Sequence, residues 1–207
     1  MKLYYSPGAC SLAVQIMLEW MNKPYELILA NKNDPAFKAA NPMLAVPTLA
    51  ETSIGTLNQY GAILRYLASF PEGQVFAANP NDPADIYEFD RWECFFTGDV
   101  HPSFYPFFSP QRYIMDSDDD AYKKVISASV LLVERTFQIL NTHLENHEFI
   151  VGGRLSIIDA YATPMLRWAK HGMPDKFKTY SSIVRHYNMM CADRKVIIAM
   201  QQQGIEA

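Results

Sequence analysis

The pair Val46-Pro47 constrains this chain more than any other two residues. It follows a polar, proline-containing segment, Asn41 to Ala45, and opens a short apolar run, Thr48-Leu49-Ala50, that reads as a strand. Proline has no N–H to give to a β ladder, so at the start of a strand it is confined to places where no ladder bond is needed. A cis X-Pro bond is one way to make such a turn. The N–H and C=O of Val46 are then free to pair with something other than protein. The plain alternative is an ordinary trans turn. Cys10, at the mouth of a helix near the start of the same segment, gives the pair its weight.

Punctuation by turn residues divides the first part of the chain. Leu3-Tyr4-Tyr5 is a short strand stopped by Ser6-Pro7-Gly8, and from Ser11 the residues Leu12, Ile16, Leu18 and Trp20 recur at roughly helical spacing until Asn22-Lys23-Pro24. Tyr25 to Leu29 reads as a second strand, Pro35 to Ala40 as a short helix and Thr48 to Ala50 as a third strand. A further strand lies near Thr56 to Asn58, and a helix follows with Ile63, Leu64, Tyr66 and Leu67. The order is β-α-β-α-β-β-α, all before Phe70: a small α/β unit.

After Ser69 the breakers Phe70-Pro-Glu-Gly73 and Asn79-Pro-Asn-Asp-Pro83 mark a boundary between about 73 and 82, and beyond it the chain reads as helix and loop. Asp85 to Gly98 is an aromatic helix. Ala121 to His143 is long and amphipathic, with Val125, Leu131, Leu132, Phe137, Ile139 and Leu140. Ser156 is an N-cap whose hydroxyl can take the N–H of Asp159, while the Asp159 carboxylate reaches back to the Ser156 N–H. The expected architecture is therefore an α/β unit over residues 1–75 and an all-helical unit over residues 82–207.

These residues together resemble the glutathione S-transferase family. The carriers are Tyr5-Ser-Pro-Gly-Ala-Cys10-Ser-Leu-Ala, Asn41-Pro42 ahead of Val46-Pro47, Gln59 opening the last helix of the α/β unit, and Ser156-Ile-Ile-Asp159-Ala-Tyr with Leu166-Arg-Trp168 downstream. Pro7-Gly-Ala-Cys10-Ser is similar to the bacterial beta class in particular. The resemblance implies a thioredoxin-like N-terminal domain that binds glutathione, an all-α C-terminal domain that binds a small hydrophobic electrophile, and a homodimer. Fold alone does not decide activity.

Composition bounds the function classes. The chain has 207 residues, 49% of them hydrophobic, which suffices for a substantial core. A net charge of -4 gives no nucleic-acid footprint. No apolar stretch approaches the roughly 20 residues that cross a bilayer, and the N-terminus lacks a signal peptide's features. The 3 cysteines, Cys10, Cys94 and Cys191, have no close pair, which fits free thiols in a reducing cytoplasm. Cys94 and Cys191 read as small buried apolar residues within helices.

Cys10 stands where the N–H groups and dipole of a helix favour negative charge, an arrangement that lowers a thiol pKa. A buried structural cysteine is the other reading. Three residues on is Ala13, so there is no C-x-x-C and no resolving thiol nearby. A dithiol cycle is thereby disfavoured. A lone thiol can still form a mixed disulfide with glutathione, or help keep glutathione's own sulfur ionised for attack on an electrophile.

The resemblance carries the remaining site residues. It implies that Tyr5 belongs to the glutathione site, that the backbone of Val46 pairs with the cysteinyl unit of glutathione, and that Gln59-Tyr60 meets the γ-glutamyl carboxylate. Tyr60 departs from the family's small hydroxyl residue, although its backbone N–H remains available. Leu44 replaces the family's usual glycine; if that position needs positive φ, either Leu44 is strained or the loop is rebuilt. Lys32 is a candidate for the glycyl carboxylate, with a solvated surface lysine as the alternative.

In the helical unit, His101 of Asp99-Val-His101-Pro102 matches a beta-class histidine near the thiol, and the prolines would bend the helix there. A surface or capping histidine is the competing reading. The resemblance implies that the aromatic stretch Phe104, Tyr105, Phe107, Phe108, Tyr113 and Met115 lines the electrophile pocket; helical core packing explains it equally well. His143 and His147, four apart, have metal-like spacing but no third ligand in sight, so no metal is expected. Two function classes stay open: a cytoplasmic glutathione transferase, with glutathione as co-substrate and possible disulfide or peroxide chemistry at Cys10, and a non-catalytic binding protein in which Tyr60 and Leu44 have altered the glutathione site.

Overall fold

The computed structural model describes residues 1–115 and 118–206. The first part of the chain contains strand β1 (Lys2–Tyr5), helix α1 (Ser11–Trp20), β2 (Glu26–Leu29), α2 (Pro35–Ala40), β3 (Thr48–Thr52), β4 (Gly55–Asn58) and α3 (Tyr60–Ala68). The strands form one four-stranded sheet in the order β2-β1-β3-β4. β1 is parallel to β2 and antiparallel to β3, with Leu3 opposite Leu49 and Tyr4 opposite Thr48. The expected β-α-β-α-β-β-α order is present.

Period-two alternation sorts the strand residues onto the two faces of the sheet. Leu3 and Leu49 are fully buried in the main core. Tyr4 and Ala50 point the other way and form a smaller cluster with Phe37 of α2, whose ring stacks on Tyr4 with centroids 5.0 Å apart. α1 is buried on every side: Leu12, Ala13, Val14, Ile16, Met17 and Leu18 have no exposed surface, and neither do Ser11 and Gln15. A helix without a polar face must lie between layers. α1 packs against the sheet and α3 on one side and against α8 and α11 of the helical region on the other.

The helical region contains α4 (Pro83–Phe95), a π-helical turn (Phe96–Val100), α5 (His101–Ser103), α6 (Tyr105–Phe108), a 3-10 turn (Pro110–Arg112), α7 (Asp119–Glu145), α8 (Ile157–Gly172), α9 (Pro174–Phe177), α10 (Ser181–Ala192) and α11 (Arg194–Gln202). Asp82 caps α4 by accepting from the N–H groups of Ala84 and Asp85, with Pro83 at the first helical position. Pro102 has no N–H to continue the ladder, and the chain takes the wider π turn just before it. The helix expected over 85–98 thus breaks off at its C-terminal end.

The face of α7 differs from expectation. Its buried stripe is Ser129, Val133, Thr136, Phe137, Leu140 and Leu144, whereas Leu131, Leu132 and Ile139 are exposed at 67%, 47% and 50%. Cys94 is also exposed, and Cys191 is partly so, which corrects the reading of both as buried. Among the described residues no third metal-ligating side chain joins His143 and His147. Their rings stack, His143 Nε2 lies 2.9 Å from the Ile150 carbonyl, and His147 Nδ1 lies 2.7 Å from the His143 carbonyl.

The capping box at α8 forms and reaches further than a surface cap. Asp159 has no exposed surface. Its carboxylate accepts from Ser156 N–H at 2.8 Å, Ser156 Oγ at 2.8 Å and Ile150 N–H at 3.0 Å, and it lies 3.5 Å from His186 Nε2. A cap alone is worth about 1 kcal/mol, but orphaning several buried donors costs more. Asp159→Ala is therefore expected to lower the unfolding free energy by roughly 3 kcal/mol in urea titration, with ligand affinity of the folded protein unchanged. A loss under about 1 kcal/mol would reduce Asp159 to a simple cap.

Candidate functional site

Three chain segments from the α/β unit converge where β3 and α3 meet the start of α1. The Val46-Pro47 peptide is cis. Cys10 is the N-cap residue of α1, 9% exposed, and its Sγ donates to the Val46 carbonyl at 3.3 Å. The Val46 carbonyl, expected to be free, therefore already has a protein partner, whereas the Val46 N–H has none among the described residues. Asn41 braces this loop: its Nδ2 donates to the Ala45 carbonyl at 2.8 Å and to Thr48 Oγ1 at 2.9 Å. Leu44 sits at φ 53°, the left-handed conformation for which glycine is suited, and the loop keeps that shape despite the side chain. Gln59 ahead of α3 has φ 66°.

A cavity of about 530 Å³ opens against these segments. On one wall are Cys10, Val46, Gln59, Tyr60, Gly61 and Ala62. The helical region contributes His101, Tyr105, Arg112 and Tyr161, together with Glu93 of α4 and Thr97 of the π turn. The cavity thus gathers Cys10, Val46, Gln59, Tyr60 and His101. Tyr5 and Lys32 do not line it. Tyr5 borders a separate open cleft with Glu19, Lys23, Tyr25 and Gln202, and Lys32 lies exposed in the loop after β2.

Tyr60 is 5% exposed. Its hydroxyl donates to the Tyr161 carbonyl at 3.1 Å, and its ring meets Tyr161 and His101 edge-on. The ring is therefore anchored in the interface between the α/β and helical regions, while Tyr60, Gly61 and Ala62 of the first turn of α3, whose N–H groups have no intrahelical partner, line the cavity. Gly61 in that turn has a steric reason. A Cβ there would stand 3.0 Å from Glu93 Oε1. Glu93 also pairs with Arg65, which in turn pairs with Asp90. Burial raises the Glu93 carboxyl, and the Arg65 charge opposes that rise.

Cys10 does not have the depressed pKa expected from its helix position. Burial pushes the thiol up to about 12, against the smaller opposing effect of the Cys10 and Ser11 backbone N–H groups. The sulfur is thus a neutral S–H donor near neutral pH. His101 sits among Tyr60, Tyr105, Tyr161 and Trp168, with the Tyr105 and Trp168 centroids 5.0 and 5.2 Å from its own. Burial lowers its imidazole from 6.5 to about 4, so the ring is neutral above mildly acidic pH. Tyr105 is raised, first by burial and then by the charge Cys10 would carry as a thiolate.

Sequence reasoning missed Glu93, Thr97, Arg112 and Tyr161 as cavity residues. Tyr161 stands two places after Asp159 in the Ser156-Ile-Ile-Asp159-Ala-Tyr motif, so the sequence carries a signal for it. Glu93, Thr97 and Arg112 have no local signal, because long-range packing alone brings them to the cavity. Of the aromatic stretch after His101, only Tyr105 lines it; Phe104 is buried and Phe108 packs on Trp168.

Known proteins share the fold of this chain. The family model described as the glutathione S-transferase C-terminal domain matches residues 100–193. A glutathione S-transferase of Xanthomonas campestris is 31% identical over 99% of this chain and 100% of its own length. Among solved structures, a bacterial beta class glutathione S-transferase of Sphingomonas chungbukensis superposes with TM-score 0.86 at 26% identity, covering 100% of both chains. A sphingomonad glutathione S-transferase complexed with glutathione superposes with TM-score 0.85 at 25% identity, again over 100% of both chains. With a thioredoxin-like α/β region, an all-helical region and full-length similarity at 31% identity, the chain belongs to the glutathione S-transferase family.

Proposed function

We propose that the protein is a glutathione transferase that joins reduced glutathione to small electrophiles in the cavity between the cis-proline loop and His101. The observation that carries this reading is the convergence of Cys10, the Val46 backbone and the open first turn of α3 on one cavity wall. In this reading residues 1–75 bind glutathione and residues 82–207 bind the electrophile. The Val46 N–H and C=O take the cysteinyl backbone of the tripeptide. The N–H groups of Tyr60, Gly61 and Ala62, with Gln59, take the γ-glutamyl carboxylate. Tyr5 and Lys32, which lie away from this wall, receive no role.

The neutral Cys10 thiol suits a donor better than a nucleophile. In the glutathione complex the Cys10 S–H turns from the Val46 carbonyl to glutathione's sulfur, which frees that carbonyl for the tripeptide and favours its thiolate form, and the cavity supplies a fixed geometry for attack. The same neutrality speaks against thiol-disulfide or peroxide chemistry initiated by Cys10, because the thiolate is the reactive form. His101, uncharged and walled by aromatic rings, serves as a positioned acceptor or donor beside the sulfur. The non-catalytic reading rested on Tyr60 and Leu44. The Tyr60 ring is turned into the interface with Tyr161, which supports an open carboxylate site.

A homodimer and a cytoplasmic setting complete the proposal. The exposed apolar residues Leu132 and Ile139, beside Phe95, offer a face for a second copy. The unpaired cysteines fit a reducing compartment, and among the described residues no helix is long and apolar enough to cross a membrane.

Calorimetric titration of the reduced protein with glutathione is expected to give micromolar to low-millimolar affinity. Cys10→Ala should still bind but turn over about tenfold more slowly, as loss of one weak donor to a developing anion implies. No binding to either protein would return the chain to the non-catalytic class.

His101→Ala should reduce kcat more than it weakens glutathione binding; unchanged turnover would remove His101 from the mechanism. The same residue has a stability signature. Its folded pKa lies below the unfolded value of 6.5, so the unfolded chain binds the extra proton first and stability falls with pH through the window from 6.5 to about 4. Between pH 7 and pH 5, His101→Asn should therefore lose roughly 2 kcal/mol less than the parent in paired urea titrations. Parallel losses would show that burial does not hold the imidazole neutral.

A further inference from the structure

We propose that the electrophile carries an anionic group, a carboxylate or its equivalent, and that Arg112 receives it. The inference rests on the transferase reading and narrows its substrate class from small hydrophobic electrophiles to acidic ones.

The charges lining the cavity carry the argument. Among the described residues these are Glu93 and Arg112, His101 being neutral at ordinary pH. Glu93 is compensated by Arg65. Arg112 has no carboxylate within ion-pair distance among the described residues. Among the described residues the cavity therefore has one charge without an ion-pair partner, and it is positive.

This charge comes from a different part of the fold than the groups assigned to the tripeptide's γ-glutamyl end. The first turn of α3 stands on the α/β wall with Cys10 and Val46, whereas Arg112 belongs to the helical wall with His101 and Tyr105. It ends the 3-10 turn Pro110–Arg112, whose shape is set by proline at its first position and by a hydrogen bond from Arg112 N–H to the Ser109 carbonyl at 3.1 Å. A guanidinium fork matches a carboxylate in two parallel hydrogen bonds. The rest of the lining points the same way. The helical wall beside Arg112 presents the hydroxyl-bearing Tyr105 and Tyr161 and the imidazole of His101 rather than an aliphatic surface, so a purely apolar electrophile would leave polar groups unmatched.

Two aryl chlorides that undergo the same displacement test the assignment on the full chain with saturating glutathione: neutral 1-chloro-2,6-dinitrobenzene and anionic 4-chloro-3,5-dinitrobenzoate, each with two nitro groups flanking the carbon that bears chlorine. In both, the glutathione sulfur forms a C–S bond at the carbon bearing chlorine, the C–Cl bond breaks with its electron pair leaving as chloride, and the thiol proton passes to buffer. With each rate divided by its uncatalysed rate, Arg112→Gln is expected to lose about tenfold in kcat/KM for the benzoate, as loss of a charge-assisted bidentate contact implies. The neutral compound and the KM for glutathione should stay within about twofold, and Arg112→Lys should recover part of the loss. Equal losses on both electrophiles, or no loss on either, would overturn the inference. So would a raised KM for glutathione with both electrophiles affected alike, since Arg112 would then serve the glycyl carboxylate. If the parent protein turns over neither compound and binds no glutathione, the transferase reading falls and this inference with it; binding and turnover of the neutral compound alone overturns only the inference.

Discussion

The cavity depends on α1 being held from both sides. Its one long polar side chain inside the core, Gln15, is fully buried, and an unpaired carboxamide there would cost about 1–3 kcal/mol for each orphaned group. Every polar atom is matched: Oε1 accepts from Gln203 Nε2 at 2.7 Å, and Nε2 donates to Tyr25 Oη at 2.9 Å and to Gln202 Oε1 at 2.6 Å. Gln203 continues the chain by accepting from Gly8 N–H at 2.9 Å, and Trp168 Nε1 donates to the Gly8 carbonyl at 2.7 Å. Gly8 is therefore gripped at both backbone polar groups by the helical region, at φ 69° and with Arg167 so close that a Cβ would meet its Nη1 at 2.8 Å. The C-terminal end of α11 thus forms part of the mount for the loop that presents Cys10.

This arrangement shows which features a sequence reader can see. Turn and cap signals act over a few residues, and they marked the strands, the bounds of α2 at Pro35 and Ala40, and the box at Ser156 and Asp159. The resemblance carried by Cys10, Val46-Pro47 and Gln59 led to one real cavity wall. Contacts set by long-range packing were not legible. Nothing near Tyr5 says that its side chain borders the cleft of Glu19 and Tyr25 rather than the cavity. Along α7, Leu131, Leu132 and Ile139 look as apolar as Val133 and Leu140, and only the position of the neighbouring helices decides which set is buried. Arg112 belongs to the same class, since no local signal shows that it lines the cavity without an ion-pair partner among the described residues.

Cys10 shows how two sound local arguments are decided by magnitude. A helix N-terminus lowers a thiol pKa through partial charge that falls off within the first turn. Full burial removes the solvation of a whole charge, and for this sulfur it wins, raising the thiol to about 12. The outcome changes the chemistry available. A thiolate would repel a second sulfur anion in the cavity, whereas a thiol can donate to one. The same low polarity that keeps Cys10 protonated keeps His101 unprotonated, so burial leaves both groups neutral.

The backbone around the cavity shows where the fold tolerates local cost. Leu44 at φ 53° and Gln59 at φ 66° both occupy conformations that disfavour side chains, at about 1–3 kcal/mol each, and they flank the cis-proline loop on its two sides. Such positions persist when the surroundings over-determine them. At Leu44 the surroundings are Asn41, which is 3% exposed and ties together the Met43 N–H, the Ala45 carbonyl and Thr48 Oγ1, while Thr48 Oγ1 itself donates back to the Ala45 carbonyl at 3.0 Å. At Gln59 the restraint comes from the next residue, since Tyr60 is pinned through its hydroxyl to α8 at the Tyr161 carbonyl. The tyrosine that departs from the family pattern therefore has a mechanical part: it ties the entry to α3 to the helical region.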